Sequence, residues 1–271
     1  MLSLALTLAS VLPIHAQASS YPLVVDHNSD EDLVAAVFRS RKPVIKGKMV
    51  MWKPTAEDKV HFPAPADGFL YTTIDTVITL DDGLSSVITF STRSMTSFNG
   101  QLTPCMDYGC DPVMGLVLIR PTSPTEKSII AAQPWFTGLR EGGGLPAAKA
   151  VSSAGKATVL VVERFIHQQG YSQSWLGWYD LSYGHEFAEI LSMTGSEWND
   201  MNESGTKNSL SLLPGEGTYQ PLLVSITSTK EDGTSTVRML TYQFDETQHR
   251  YVEKATTKPT HNAATSPTRK N

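Results

Sequence analysis

The sequence contains few cysteines. Its 271 residues include two cysteines, Cys105 and Cys110, which lie in the segment PCMDYGC. Two cysteines are too few for the disulfide framework of a small secreted scaffold, and no further soft ligands for a four-coordinate zinc ion lie between them. In an exported chain we expect the two to form one disulfide, which would close a short loop and stabilise the fold by about 2 kcal/mol.

The sequence also has no excess of basic charge. Its 22 Lys and Arg residues against 27 Asp and Glu residues give a net charge of −5. That balance provides neither the basic footprint of a nucleic-acid-binding protein nor a polybasic patch for an anionic membrane. Beyond the N-terminus no apolar run approaches the roughly 18 residues that suggest a transmembrane helix. We therefore expect no nucleic-acid partner and no membrane span in the mature chain.

Catalytic motifs are missing as well. The sequence contains no nucleophile elbow, P-loop or dinucleotide fingerprint. HEFAE at 185–189 has Glu189 where a zinc-protease helix needs a second histidine. SAGK at 153–156 matches the S-x-x-K motif of acyl-enzyme serine hydrolases, but no KTG accompanies it. The sequence therefore identifies no catalytic residue.

The two ends of the chain differ in composition from the rest. The first residues, MLSLALTLASVLPIHAQASS, are mostly apolar and end in small residues at Ala16 and Ala18. This pattern predicts a signal peptide at 1–18 and a periplasmic or secreted protein. Residues 255–271 are rich in Thr, Pro, Asn and Lys, which predicts a disordered tail. We expect a single β-rich domain at 19–254.

Strand signals dominate that domain. Two runs rich in Thr, Ile and Val, 69–80 and 84–92, flank an Asp-Asp-Gly turn, which predicts a hairpin. Further strands are predicted at 114–120 and 126–136. The segment 29–42, SDEDLVAAVFRSRK, has the acidic start and basic end of a helix. Its apolar run DLVAAVF favours a buried strand instead, and we predict a strand.

A repeated pattern indicates the fold class. Residues 159–191 and 222–254 align with a shift of 63, so that Gly170 matches Gly233 and Tyr179 matches Tyr242. Each copy reads as a strand, a polar turn with glycine, an aromatic strand, a short turn and a third strand. We therefore predict an all-β fold of antiparallel meanders, either β-propeller-like or a large β-sandwich.

Candidate binding residues come from the first copy and the segment after it. In SWLGWYDL, Trp175 and Tyr179 share one strand face and Trp178 lies on the other. We expect Trp175 and Tyr179 to fill a core and Trp178 to be exposed. The predicted binding residues are Trp178, His167, Gln169 and Trp198.

Acidic residues alternate near the N-terminus of the predicted domain. In VVDHNSDEDLVAAVF the side chains of Asp26, Asn28, Asp30 and Asp32 could converge on a hard cation. This segment resembles the calcium loop of FG-GAP/VCBS-type propeller repeats, which implies calcium as the one cofactor to consider. It departs from that loop because no glycine follows Asp30. A solvated turn or a helix N-cap is the alternative interpretation.

Other segments carry a second resemblance. Three segments resemble parts of uncharacterised exported bacterial β-rich proteins. They are YQPLLVSITSTKEDGTSTVRMLTYQFDETQHRYVE, HQQGYSQSWLGWYDL, and CMDYGCDPVMGLVLIR followed by PWF. The cysteine spacing is wider here than in that group. The resemblance covers about residues 70–254 and implies location and fold, not an activity.

Three functions remain open from the sequence. Strong sheet signals without a catalytic set favour a binding module of the cell envelope, whose partner is a protein or an envelope polymer. Inhibitor and immunity-type proteins belong to this class of binding module. The alternative is an envelope hydrolase whose site assembles from distant loops, with His167 or His185 near a carboxylate and a hydroxyl. The third is a calcium-stabilised scaffold.

Overall fold

The computed structural model describes residues 21–26, 29–58, 68–99, 101–105, 112–138, 147–153, 157–181 and 187–254. Its strands form two antiparallel sheets of eight strands each, which confirms the all-β prediction. The described strands build two packed sheets rather than four-stranded propeller blades. The predicted signal peptide and C-terminal tail lie outside the described residues and stay predictions.

The first sheet is built from the N-terminal half of the chain. Its strands are β1 (Leu23–Asp26), β2 (Val44–Lys46), β3 (Met49–Trp52), β4 (Leu70–Thr79), β5 (Ser86–Phe98), β6 (Gln101–Pro104), β7 (Val113–Pro121) and β8 (Glu126–Gly138). They are hydrogen-bonded in the order β1-β8-β7-β5-β4-β3-β2, and β6 pairs with β5. The hairpin around the Asp-Asp-Gly turn is β4 and β5, and the two further predicted strands are β7 and β8, so these predictions are confirmed.

The segment after β1 is a helix, so the predicted strand at 29–42 is wrong. Helix α1 spans Asp30–Val37. The Ser29 hydroxyl accepts from the Asp32 N–H at 3.3 Å, and the Asp32 carboxylate accepts from the Ser29 N–H at 2.8 Å. This capping box satisfies N–H groups of the first helical turn. Because it stabilises a helix start directly before the apolar run, it overrides the run's strand character.

Helix α1 covers one face of the first sheet. Leu33 and Val34 of the helix are fully buried in a core with Val50, Leu70 and neighbouring strand residues. The chain just after the helix adds Phe38, whose ring stacks on Trp52 with the centroids 4.4 Å apart. The opposite face of this sheet is therefore the one available to the second sheet.

The second sheet is a meander in which each strand pairs with the next. Its strands are β9 (Ala147–Ser153), β10 (Ala157–Gln168), β11 (Tyr171–Asp180), β12 (Ala188–Asn199), β13 (Ser204–Leu212), β14 (Leu222–Thr229), β15 (Ser235–Asp245) and β16 (Arg250–Lys254). The two aligned segments are the three-stranded units β10–β12 and β14–β16, so the predicted repeat is confirmed.

The two units differ in register by one residue. Val159 of β10 pairs with Asp180, whereas the aligned Leu222 of β14 pairs with Tyr242 rather than with Gln243. The first turn contains two residues between its last paired positions and the second contains five, which accounts for the slip. A slip of one residue moves every side chain to the other face. Followed through the paired strands from β10 to β14, Val159 and Leu222 point to opposite faces of the same sheet.

The second sheet curls so that those faces meet. β12 pairs with β13 only over Ser196–Asn199 and then leaves it, and β12 also packs against β16. Where the strands separate, the Asn208 side-chain amide donates to the Thr194 carbonyl at 2.6 Å. The enclosed core holds Val159, Val161, Trp178, Ile190, Leu191, Leu222 and Tyr251.

The two sheets pack on each other through a third core. Val87 and Leu116 of the first sheet meet Leu160, Val162 and Tyr179 of the second. The β10–β12 unit is thus covered on both faces near its centre, and only its far end remains open.

Within the described ranges no helix is both long enough and apolar enough to cross a membrane.

Candidate functional site

Trp178 is not a surface residue, so its predicted exposure is wrong. Its side chain is 6% exposed, and its ring meets Tyr251 edge-on with the centroids 6.1 Å apart. The period-two alternation separates Trp178 and Tyr179 onto opposite faces as predicted. Both faces are buried there, one by the first sheet and one by the curled β14–β16 unit. Trp178 is therefore a core residue.

The other three predicted binding residues gather at the open end of the β10–β12 unit. His167 pairs with Ser172 and Ser172 pairs with Trp198, so these side chains form one row on one face. Gln169 is exposed in the two-residue turn before them, where it and Gly170 have φ of 49° and 76°. Positive φ at both turn positions is the geometry that joins two twisted strands most tightly.

Six side chains share this face at the open end of the unit. We define the binding groove as Phe165 and His167 on β10, Ser172 and Ser174 on β11, and Ser196 and Trp198 on β12. Phe165 is 48% exposed and Trp198 is 37% exposed, so aromatic side chains form both walls. The walls stand on strands two spacings apart, which places their backbones about 10 Å from each other.

Hydroxyl groups form the floor of the groove. The Ser174 and Ser196 hydroxyls lie 2.9 Å apart, and His167 Nδ1 lies 2.7 Å from the Ser172 hydroxyl. A hydroxyl can donate one hydrogen bond and accept two, so the half-buried Ser172 and Ser196 keep capacity for a ligand, whereas Ser174 is only 3% exposed. The floor is therefore polar and partly preorganised between two apolar walls.

Two glycines allow this arrangement. A Cβ at Gly205 of β13 would lie 2.8 Å from Cε3 of Trp198 and would also strike the Glu197 carbonyl oxygen. A Cβ at Gly195 would lie 2.6 Å from the Ser174 hydroxyl oxygen, at the bulge where β11 and β12 change register. Bulges re-aim side chains and increase local twist. The Trp198 indole therefore lies over a backbone that has no side chain beneath it.

Charges beside the groove balance. Glu163 lies two residues before Phe165 on the same face of β10, and Lys207 pairs directly with Ser196. Both side chains are exposed. Because one acid and one base border the groove, its field favours an uncharged ligand over a strongly charged one of either sign.

The opposite face at the same end offers a comparison. Tyr171 is 42% exposed there, similar to Trp198. Desolvation raises the pKa of its hydroxyl, and the negative charge of Glu197 raises it further. Glu197 in turn accepts a hydrogen bond from the Gln173 amide at 2.7 Å. This face carries Glu197 and lacks the paired serines of the groove face.

The sequence contained part of the signal for this groove. Phe165 alternates with Glu163 and His167, which predicts one shared face and could have identified the first wall. The second wall could not be placed, because Trp198 reaches its row only through the bulge at Gly195. The serines are too common in strands to stand out.

The predicted calcium ligands have other partners where they are described. Asp32 completes the capping box, Asp30 lies 3.5 Å from the Lys127 ammonium, and Asp26 ends β1 opposite Glu126. Asn28 lies outside the described residues. No group of three or more His, Cys, Asp or Glu is placed to hold a metal ion in the described ranges. The helix N-cap is thus the interpretation that the local geometry supports for Asp32.

The predicted disulfide involves only one described residue. Cys105 is buried, and its N–H donates to the Ser94 carbonyl at 3.0 Å. Cys110 lies outside the described residues, so the bond stays a prediction. Cys105 follows β6 in the first sheet, away from the strands that carry the groove.

A second polar cluster lies at the other end of β11. The fully buried carboxylate of Asp180 accepts a hydrogen bond from the Tyr219 hydroxyl and another from His249 Nε2 at 3.1 Å. The Tyr219 ring stacks on Phe244 at 3.8 Å. These bonds join β11, the β13–β14 connection and the β15–β16 turn, so the cluster holds the curled sheet closed.

Among the described residues, His167 does not assemble the catalytic set that the hydrolase alternative requires. His167 contacts a hydroxyl but no carboxylate among the described residues, and His185 lies outside them.

Comparison of the chain with protein-family models, curated proteins and solved structures finds no match. The groove is therefore the feature from which a function can be argued.

Proposed function

We propose that the protein is an exported binding protein of the cell envelope and that its groove holds an extended, uncharged envelope polymer. The observation that carries this proposal is the pair of exposed aromatic walls, Phe165 and Trp198, above a floor of serines. Aromatic side chains left partly in water on a rigid sheet, with polar groups between them, are typical of ligand sites.

The construction of the groove supports a binding role. Gly205 keeps the space beneath the Trp198 indole clear, and the bulge at Gly195 brings Ser196 to Ser174. β11, the central strand of the groove, is paired with β10 on one side and β12 on the other, so the groove needs little rearrangement to accept a ligand. A preorganised surface loses less conformational entropy on binding than a flexible loop does.

Co-sedimentation tests the proposal. The full chain is mixed with insoluble bacterial envelope polymer, and the bound fraction is measured against polymer concentration. We expect retention that falls by at least about tenfold in affinity for Trp198→Ala and for Phe165→Ala, because central aromatic side chains dominate binding energy. Tyr171→Ala is the matched control, since it removes an equally exposed aromatic ring from the opposite face.

The outcomes separate the candidate partners. Loss of retention in the two groove variants but not in the control supports the proposal. Equal retention of all four proteins, or no retention of the wild type, contradicts it. Binding of the chain to one purified envelope protein through Trp198, without polymer retention, would instead support the inhibitor or immunity-type role.

A further inference from the structure

We infer, on the basis of the proposed binding role, that the repeating unit held in the groove is a saccharide whose pyranose ring stacks on Trp198. The first step concerns the backbone. β11 pairs with β10 on one side and with β12 on the other, so its main-chain groups are used within the sheet. A peptide that binds by strand addition needs a free edge. β9 is paired with β10 only as far as Glu163, so strand addition would have to take place at the outer edge of β10, outside the groove. Between β10 and β12 the groove therefore offers side chains only.

The second step concerns the floor. Ser172 and Ser196, whose side chains are half-buried, would be covered by any ligand that touches both walls. A hydrocarbon chain would remove water from these hydroxyls without replacing its hydrogen bonds, which carries a free-energy cost. A ligand that carries its own hydroxyls at the same spacing replaces them. A lipid tail is therefore a poorer occupant than a hydroxyl-rich polymer.

The third step concerns the walls. A pyranose ring presents C–H groups on its faces and hydroxyls around its rim. The negative face of the Trp198 indole attracts polarised C–H groups, while rim hydroxyls reach Ser172 and His167. The balanced charges of Glu163 and Lys207 favour a neutral sugar. Together these features fit a neutral polysaccharide chain lying across the three strands.

Calorimetric titration of the full chain with neutral oligosaccharides tests the inference. The probes are hexamers of a β-linked hexose, of an N-acetylhexosamine and of a pentose, with a hexameric uronate as the charged comparison. We expect saturable binding of at least one neutral hexamer, weaker binding of the uronate, and a loss of at least about tenfold in Trp198→Ala. Tyr171→Ala should bind as the wild type does.

A second pair of variants separates stacking from a general change of shape. Trp198→Phe keeps an aromatic face and should retain more affinity than Trp198→Ala. Ser172→Ala removes one floor hydroxyl and should weaken the neutral hexamer while leaving the unfolding midpoint in urea nearly unchanged. Equal losses for Trp198→Phe and Trp198→Ala would contradict stacking as the mode of binding.

The inference and the proposed function can fail separately. If no neutral hexamer binds, or if Trp198→Ala binds as tightly as the wild type, the saccharide inference is wrong. In that case groove-dependent retention on envelope polymer would still support the proposed function. If retention on polymer is also independent of Trp198 and Phe165, both are wrong.

Discussion

At the scale of single residues, Gly205 lies directly beneath the indole of Trp198. A Cβ there would come within 2.8 Å of the ring and would strike the Glu197 carbonyl oxygen, which belongs to the paired backbone. We expect Gly205→Ala to destabilise the fold by about 1–3 kcal/mol, since the backbone as well as the ring must move. Urea unfolding measures the loss.

Gly217 provides the control for that substitution. A Cβ at Gly217 would make only an ordinary contact, 3.4 Å from the Tyr219 carbonyl oxygen. Gly217→Ala should therefore change stability by less than about 0.5 kcal/mol. Equal effects of the two substitutions would mean that the close approach of Trp198 and Gly205 is not a feature of the folded protein.

Truncation of two tryptophans of the same three-stranded unit should cost very different amounts of stability. Trp178 is 6% exposed within the curled core, and Trp198 is 37% exposed on the groove. Trp178→Ala should lower the free energy of unfolding by about 3–5 kcal/mol because it leaves a large cavity. Trp198→Ala should cost about 1 kcal/mol or less. Denaturation of both variants side by side checks the contrast, and a larger loss for Trp198 would contradict it.

At the scale of elements, α1 depends on a local signal that the apolar pattern of its sequence conceals. The reciprocal bonds of Ser29 and Asp32 start the helix. Ser29→Ala should destabilise the protein by about 1 kcal/mol, and Ser29→Thr should retain most of that stability. Thermal unfolding gives the comparison. A cost for Ser29→Thr equal to that for Ser29→Ala would rule out the cap as the cause.

Strands were easier to predict than this helix for a physical reason. The β4–β5 hairpin combines two β-rich runs with an Asp-Asp-Gly turn, so local preference and tertiary structure agree. In DLVAAVF, the apolar residues serve a buried helix or a buried strand equally well. The capping box decides between them, and it joins Ser29, three residues before the run, to Asp32, the first residue of the run. The same ambiguity does not arise where period-two alternation is long.

A buried ion pair anchors the turn after α1. The Asp58 carboxylate accepts two hydrogen bonds from the Arg41 guanidinium, at 2.6 and 2.8 Å, and two from Thr55, both at 2.8 Å. Burial by itself would raise the pKa of Asp58. The hydrogen bonds from Arg41 and Thr55, with the charge of Arg41, outweigh it and hold that pKa below its usual value of 3.8.

The sign of this shift determines the pH dependence. Because the folded pKa of Asp58 is lowered, its contribution is fully present above pH 3.8 and is lost as the pH falls through the folded pKa. We expect Asp58→Asn to be less stable than the wild type at neutral pH and to lose less stability on acidification. Asp81→Asn, at an exposed turn, should follow the wild-type profile. Urea unfolding between pH 7 and pH 2 measures it; parallel profiles for all three proteins would contradict the assignment.

At the scale of the whole molecule, the curled second sheet depends on long-range geometry that the sequence did not reveal. The repeat identified two three-stranded units but not their one-residue difference in register. The pairings from β10 through β14 turn Val159 and Leu222 to opposite faces, and the early separation of β12 from β13 lets those faces enclose one core. The burial of Trp178 follows from this closure and not from its own strand, which is why alternation alone misplaced it.

The closure of that sheet depends on Asp180. Its carboxylate is fully buried and binds the Tyr219 hydroxyl and His249, which belong to two segments far along the chain. Tyr219→Phe leaves a fully buried carboxyl group without one of its hydrogen bonds and should cost about 1–3 kcal/mol. Tyr242→Phe is the matched control, because no hydrogen bond links the Tyr242 hydroxyl to another described residue.

The location of the effect distinguishes a closing contact from a general loss of packing. Hydrogen exchange should accelerate in β16 and in the β13–β14 connection of Tyr219→Phe, since these segments lose their link to β11, while β4 and β5 in the first sheet should keep wild-type protection. Binding by the groove should persist, because it lies at the opposite end of β11 from Asp180. Uniform acceleration across both sheets would show that the Asp180 cluster supports the fold as a whole rather than the closure of the second sheet.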